Sequence, residues 1–515
     1  MELARIFSAE LEGINAKLIE IETDVNVGLH SFTIVGLADK ALSEAKERVN
    51  SAIKNSGFKP PNQENRKITV NLAPADVEKS GSQYDLGIAI GYLIATKQIS
   101  INHQGLCRRL FIGELSLDGK LRPIRGALNI SHLARQIGFE EIILPKPNAR
   151  EANLIKDIKV IPADCLSQVL DYLQEFKTIS FDFSENNDVL SPEEAQINID
   201  DIRGQDAAKR ALIIAACGGH NLLMTGPPGS GKTMLAQALA SILPPPETEE
   251  IIEIARVWSA AGLLNQSNHL VKARPFRQPH HSASIAAVVG GGSSPRPGEI
   301  SLSHRGVLFL DELPEFRRDV LESLRQPLET GQITISRVKN NLVFPARFQF
   351  VAAMNPCPCG FYNDPEKECR CSAYEVFRYQ KKISGPLLDR IDLQISVPRI
   401  KIEQLKSQPQ TASQEIKQQI INCRDTQRQR LQSAGLSVSL NSEMNSKQCE
   451  QLINLTKEAD EFIKKAFDRS LLTIRGYFRV LKIGRTIADL EQSQNVEQNH
   501  IAEALQYRLR DAQYL

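Results

Sequence analysis

The stretch NLLMTGPPGSGKTMLAQALASIL, Asn221 to Leu243, constrains this 515-residue chain more than any other. An apolar run, Leu222 to Met224, leads into a loop that fits G-x-x-x-x-G-K-[ST] through Gly226, Gly231, Lys232 and Thr233. A helical pattern follows to Leu243, where Pro244, Pro245 and Pro246 stop it. Strand, glycine loop and helix in that order make a phosphate cradle. The glycines let backbone N–H groups close around the anion, and the helix N-terminus adds its partial positive charge. Lys232 is placed for the β- and γ-phosphates and Thr233 for Mg²⁺. The expected nucleotide contacts are Gly226, Pro227, Pro228, Gly229, Ser230, Gly231, Lys232, Thr233 and Met234.

Such a loop needs a second metal-holding carboxylate at the end of a neighbouring strand. GVLFLDELPEF supplies it: a buried strand, Val307 to Leu310, delivers Asp311 for the Mg²⁺ shell and Glu312 to orient and activate the attacking water. A third strand, Phe348 to Asn355, would bring the Asn355 amide to the same edge, where it could fix that water. From residue 201 to about 397, strand-like runs alternate with helices, which predicts an α/β core on a parallel sheet. Residues 1–177 read as shorter β-rich runs between helices, with a hairpin turn at Asp118-Gly119. The acidic, aperiodic stretch 178–200 reads as a linker, and 398–515 as a mostly helical lid.

Lys plus Arg (62) nearly cancels Asp plus Glu (61), so any nucleic-acid site has to be a local stripe rather than a bulk basic field. The acidic, interrupted N-terminus does not read as a signal peptide, and no window approaches the ~20 apolar residues of a membrane helix. The expected compartment is the cytoplasm, where thiols stay reduced. That frames Cys357, Cys359, Cys369 and Cys371, two close pairs on one short loop spaced C-x-C-x₉-C-x-C. The favoured reading is a structural Zn²⁺ held by four thiolates in a knuckle over 357–371, remote from the ATP chemistry. A reduced metal-free loop and an iron–sulfur cluster are the alternatives.

The order strand–phosphate loop, strand–Asp-Glu, strand–Asn is similar to that of AAA+ ATPases. DIRGQDAAKRAL (Asp201 to Leu212) resembles their adenine-cupping segment, with Ile202 and Gly204 nearest the base. RPFRQPHHSAS, GGGSSPRPGEISLSHRGVLFLDELPEF, AAMNPCPCG, SGPLLDRIDL and RTIADLE resemble the Mg-chelatase-like AAA+ ATPases, and more narrowly their bacterial YifB/ComM branch. The resemblance implies an ATP-hydrolysing homo-hexamer, a DNA helicase that drives branch migration on single-stranded and branched DNA during natural transformation. Recombination proteins are candidate partners. It also implies that Arg390 is the arginine finger completing the neighbouring subunit's site, and that Arg475 is the lid sensor, with Arg479 its rival. In related ring helicases two inserted loops face the central channel. Here these carry Arg296, and Arg337 with Lys339 at a hairpin tip whose turn is read at Lys339-Asn340-Asn341. His280 and His281, read as strand neighbours on opposite faces, are given a structural or nucleotide-proximal role and no ligand.

PADVEKSGSQYDLGIAIGYL and GELSLDGKLRPIRGAL resemble the Lon-protease fold, of the ribosomal S5 domain 2-like α+β kind. Gln83 stands where that family has its serine and Leu128 where it has its lysine, with Ser80 and Ser82 nearby. The resemblance therefore implies a scaffold without peptidase residues. Two other functions share the same ATPase core: the motor subunit of a metal chelatase, and a protein-remodelling regulator.

Overall fold

The computed structural model describes residues 3–36, 40–77, 79, 81–101, 103–183, 197–264, 273–292, 295–336, 341–400, 413–469 and 472–508. Most of the expected linker, and both Arg337 and Lys339, lie outside them. The first unit grows from alternating strands. In β4 (Arg66–Ala73), Ile68, Val70 and Leu72 point inward and their neighbours outward. Before it run β1 (Ala4–Glu12), β2 (Asn15–Val27) and β3 (Ser31–Val35); after it come β5 (Arg109–Phe111), the hairpin β6 (Glu114–Leu115) and β7 (Leu121–Arg122), then β8 (Glu141–Pro145) and β9 (Lys159–Ala163). The mixed sheet is ordered β3-β4-β2-β1-β5-β8-β9. The hairpin turn falls where its Asp-Gly pair predicts, with the Gly119 N–H donating to Ser116 at 2.9 Å.

The second unit carries β10 (Leu222–Thr225), β11 (Phe276–Arg277), β12 (Gly290–Gly291), β13 (Arg296–Pro297), β14 (Val307–Leu310), β15 (Gln332–Ser336), β16 (Asn341–Pro345), β17 (Gln349–Met354) and β18 (Leu393–Ser396). Five of these form a sheet ordered β11-β14-β17-β10-β18, parallel throughout. All carboxyl ends therefore open on one edge, where ligands of such sheets bind. β14 and β17 are buried at every position, as parallel strands covered on both faces must be. β17 ends at Met354, one residue short of the expected strand, so Asn355 is the first residue of the loop. β12–β13 and β15–β16 are two-stranded ribbons outside this sheet, and Asn341 pairs with Ser336 instead of turning.

Helices Ser413–Ser433, Ser446–Leu452, Lys457–Asp468, Ile474–Leu490 and Gln498–Gln506 make the lid. They share one hydrophobic cluster with the core helix Asp206–Gly218. Among the described residues, no helix is long and apolar enough to cross a membrane.

The first two units are welded together by the helix Thr248–Ala261. Its Ala255, Ile252 and Trp258 pack into a cluster with Leu128, Ile130 and Leu144 of the first unit. Arg256 donates to Asn129 at 3.0 Å, Asn129 donates back to the Arg256 carbonyl at 2.9 Å, and the Gly126 N–H reaches the Ser259 carbonyl at 3.0 Å. Glu151 is sealed behind this joint, 3 % exposed, with Asn148 donating to it at 2.6 Å. Burial pushes its carboxyl up to about 7, against the hydrogen bonds that lower it.

Because the folded value is the raised one, the stability Glu151 contributes is full below about pH 4.3. It is lost as the pH climbs through about 7. Thermal stability of the full chain should therefore fall between about pH 4 and pH 7, and Glu151→Gln should flatten that decline by up to ~3 kcal/mol. Identical pH profiles for the two proteins would refute the assignment.

Candidate nucleotide site

The phosphate loop sits at the carboxyl edge of the parallel sheet, between β10 and the helix Lys232–Ile242. Gly231 caps that helix in the left-handed region, φ 88°, which favours glycine. Lys232, 9 % exposed, donates through its ammonium to the carbonyls of Gly226 at 2.8 Å and Pro227 at 2.9 Å, and to Asn355 Oδ1 at 3.3 Å. Burial pushes it below the usual lysine range, against the pull of Asp311 and Glu312. Ser230 is buried and Met234 exposed within the same loop and first turn.

Thr233 Oγ1 donates to Asp311 Oδ2 at 2.9 Å. Those two oxygens would hold Mg²⁺, a hard cation that takes few protein ligands and keeps the rest of its shell for water and phosphate. Glu312 follows Asp311 with φ 52°, left-handed for a residue with a side chain, and its carboxylate is exposed to the edge. Such backbone persists only where its surroundings over-determine it, and it concentrates at functional sites. Ile202 is buried, and Gly204 follows it in the left-handed region at φ 59°. Gln205, next in line, donates to the Pro398 carbonyl at 2.6 Å, tying this base-side segment to the strand end of β18.

His281 Nδ1 lies 3.4 Å from Glu312, and the His280 and His281 ring centroids are 4.1 Å apart. The expectation of opposite faces fails because β11 ends at Arg277. The histidines occupy a turn, where neighbouring rings can share a side. The nucleotide-proximal place expected of them agrees with this contact, but side-chain proximity across a turn has no sequence periodicity, so Glu312 as the partner is not legible in the pattern.

Arg390 and both rival sensors lie elsewhere. Arg390 precedes β18 and sits at the amino edge, a four-residue strand (~13 Å) from its own phosphate loop. It is 7 % exposed and pairs with Glu329, not with either flanking aspartate. Asp392 is taken by Arg479, which also donates to the Arg390 carbonyl at 3.2 Å. Burial works to raise the Asp392 carboxyl, but Arg479 and His220 hold it well below the usual carboxylate range. Arg475, one turn earlier on the helix Ile474–Leu490, is exposed. The cleft between core and lid, about 460 Å³, holds Arg479 and Lys482 at this amino edge, away from the phosphate loop.

Arg296 is exposed on β13. The two ribbons touch: a Cβ at Gly290 would stand 3.2 Å from Ile335. The four cysteine sulfurs all lie within 4.8 Å of one another. Contrary to the expectation of a remote knuckle, Gly360 presses on Pro228 of the phosphate loop, where a Cβ would come within 2.6 Å of Cδ. In the first unit, Gln83 donates to Glu10 at 2.8 Å, Leu128 is buried, and Ser82 hydrogen-bonds to Glu114. Ser80 lies outside the described residues.

Family models for magnesium chelatase subunit ChlI match residues 198–405, 21–148 and, for its C-terminal part, 410–508. The competence protein ComM of Haemophilus influenzae is 45% identical over 514 residues, covering 99% of this chain and 98% of its own. YifB of Escherichia coli is 40% identical over 513 residues, covering 99% and 98%. An archaeal Lon protease from Archaeoglobus fulgidus is 42% identical over 71 residues, 14% of this chain and 11% of its own.

Lys232→Ala should weaken ATP binding about 10–100-fold, the value of ~1.5–3 kcal/mol of charge-assisted hydrogen bonding. Glu312→Gln should leave binding intact and slow hydrolysis about 10²–10⁴-fold. Equilibrium binding and single-turnover hydrolysis check both. An unchanged turnover in Glu312→Gln would move the catalytic base elsewhere.

Proposed function

The chain belongs to the Mg-chelatase-like AAA+ ATPases of the ComM/YifB branch, and from that premise we propose that it is an ATP-driven DNA translocase. In this reading it assembles as a homo-hexameric ring and drives branch migration, as in the integration of DNA during natural transformation. The observation that carries the proposal is the joining of Thr233 and Asp311 beside Glu312 and Asn355 at one sheet edge, with Arg390 held at the opposite edge. A finger so far from its own phosphates fits a neighbour's site, which makes the ring a condition of activity. Arg390 would offset charge building on the transferred phosphoryl group. Arg475 is the better lid sensor, since Arg479 is already committed to Asp392.

The functional units proposed are 1–177, a Lon-like scaffold; 201–397, the motor, joined by 178–200; and 398–515, the lid. ATP and Mg²⁺ would occupy the phosphate-loop edge and Zn²⁺ the cysteine knuckle. Arg296, with Arg337 and Lys339, would grip DNA phosphates without reading sequence, so binding should weaken steeply with salt. A cytoplasmic location suits the nine free cysteines. Single-stranded and branched DNA are the proposed substrates, and recombination proteins the proposed partners.

ATP hydrolysis measured with and without single-stranded and four-way-junction DNA tests this directly. Marked stimulation that vanishes in Glu312→Gln is expected, followed by junction unwinding. A DNA-indifferent rate from hexamers at low salt would overturn the motor and favour the chelatase or protein-remodelling function. Arg390→Ala should keep nucleotide binding and lose roughly 10³–10⁵ in turnover. Mixing it with Lys232→Ala subunits should restore some sites if the finger acts in trans, and none if it does not.

A further inference from the structure

We infer that the four-cysteine knuckle is a metal-set brace on the phosphate loop: Cys357, Cys359, Cys369 and Cys371 bind one thiophilic divalent ion, and that ion fixes Gly360 against Pro228 so that Lys232 is held for ATP. The inference rests on the reading of this loop as the ATP site and adds a control over it.

The sulfur geometry comes first. Cys357 to Cys359, Cys357 to Cys369 and Cys359 to Cys369 are 3.4, 3.7 and 3.6 Å apart. Four thiolates at ~2.3 Å from a tetrahedral ion stand ~3.8 Å from one another. A disulfide needs ~2.05 Å, so these are not oxidised pairs. An all-sulfur donor set rejects Mg²⁺ and Ca²⁺ and selects a soft or borderline ion, with Zn²⁺ the first choice.

The backbone supplies the second step. From Asn355 to Ser372 the chain forms neither helix nor strand, so little regular hydrogen bonding fixes its path. Its order then depends on the sulfur cluster and a few side-chain contacts. Phe361 is flanked by the Arg399 guanidinium at 5.1 Å and the Lys367 ammonium at 5.2 Å. Asp364 lies 3.7 Å from the same Arg399.

What the knuckle touches is the third step. Gly360 has φ +85°, and a Cβ there would lie 2.6 Å from Pro228 Cδ and 3.2 Å from Cγ. The adjacent Pro227 carbonyl accepts from Lys232 at 2.9 Å. On the other side Asn355, two residues before the buried Cys357, also accepts from Lys232, at 3.3 Å. The knuckle thus reaches Lys232 from both sides. Through Arg399, beside the Pro398 carbonyl that Gln205 holds at 2.6 Å, it also borders the base-side segment. A metal that orders this loop orders both ends of the nucleotide site.

The test uses the full-length protein and a fluorescent ATP analogue, without DNA. Wild type should carry one metal per chain, released by a mercurial thiol reagent. Co²⁺ in its place should give the intense sulfur-to-metal absorption of a tetrahedral tetrathiolate. The double variant Cys369→Ser/Cys371→Ser should lose the metal and bind the analogue about tenfold more weakly, ~1.4 kcal/mol. Cys371→His, which keeps a four-ligand set, should restore both. Gly360→Ala keeps all four ligands, so it should retain the metal and still lose about tenfold in affinity, which decides the matter even if the serine variant misfolds. A wild type that binds the analogue without metal would overturn the inference. So would unchanged affinity in the serine double variant or in Gly360→Ala. Failure of wild type to bind the analogue would instead sink the phosphate-loop reading.

Discussion

The register of three buried parallel strands is the constraint on which the rest depends. Thr225 at the end of β10 faces Met354 at the end of β17, and Leu310 at the end of β14 faces Ala352. The residues that leave those strands, Gly226, Asn355 and Asp311, consequently emerge within one or two positions of each other. That is why the Thr233 hydroxyl meets the Asp311 carboxylate and the Lys232 ammonium meets the Asn355 amide. Slipping one strand by a residue would turn its buried face outward and scatter the site. Val307, Phe309, Val351 and Ala353, none of them exposed, hold the register by having nowhere else to go.

Two further layers take their positions from that sheet. The helix Asp206–Gly218 carries the lid, since Arg424 donates twice to the Ala216 carbonyl, at 2.9 and 2.6 Å, and Arg430 pairs with Asp489 at 2.6 Å behind it. The helix Thr248–Ala261 carries the first unit and also touches the inserts, because Trp258 donates to the Leu302 carbonyl at 3.2 Å. The first unit is therefore no loose appendage on an acidic linker. Its β1–β2 turn reaches the second ribbon, where a Cβ on Gly13 would lie 3.6 Å from Phe344.

How much of this the sequence reveals depends on the range of the information. The phosphate loop, Asp311-Glu312 and the strand before Asn355 are local patterns: a glycine spacing, and apolar runs ending in a polar residue. The structure brings them to one edge. The four cysteines are also a local pattern, and their clustering follows from spacing alone. What spacing could not show was the partner of each side chain. Arg390 faces Glu329, which is 61 positions away, rather than the aspartates beside it. His281 meets Glu312 across a turn where the pattern predicts a strand. Gly360 meets Pro228 because a loop folds back, and glycine in a loop has too many ordinary uses to announce a contact. The helix Thr248–Ala261 reads as one more amphipathic segment, and nothing in its period says that its apolar side belongs to another unit.

The places where local preference is violated are themselves informative. Glu312 adopts left-handed backbone that a glycine would accept without cost, and the buried Arg390 Nε finds no hydrogen-bond partner among the described residues. A folded chain retains such departures only where neighbouring structure supplies the stability they consume. Behind Glu312 stands the fully buried β14, and its own N–H is tied to Asp311 at 2.9 Å. Behind Arg390 stands Asp392, fixed by Arg479 and by the Asn221 N–H at 3.0 Å. Each strained or unsatisfied group is thus mounted on a rigid base, Glu312 at the carboxyl edge after β14 and Arg390 at the amino edge before β18 of the same sheet.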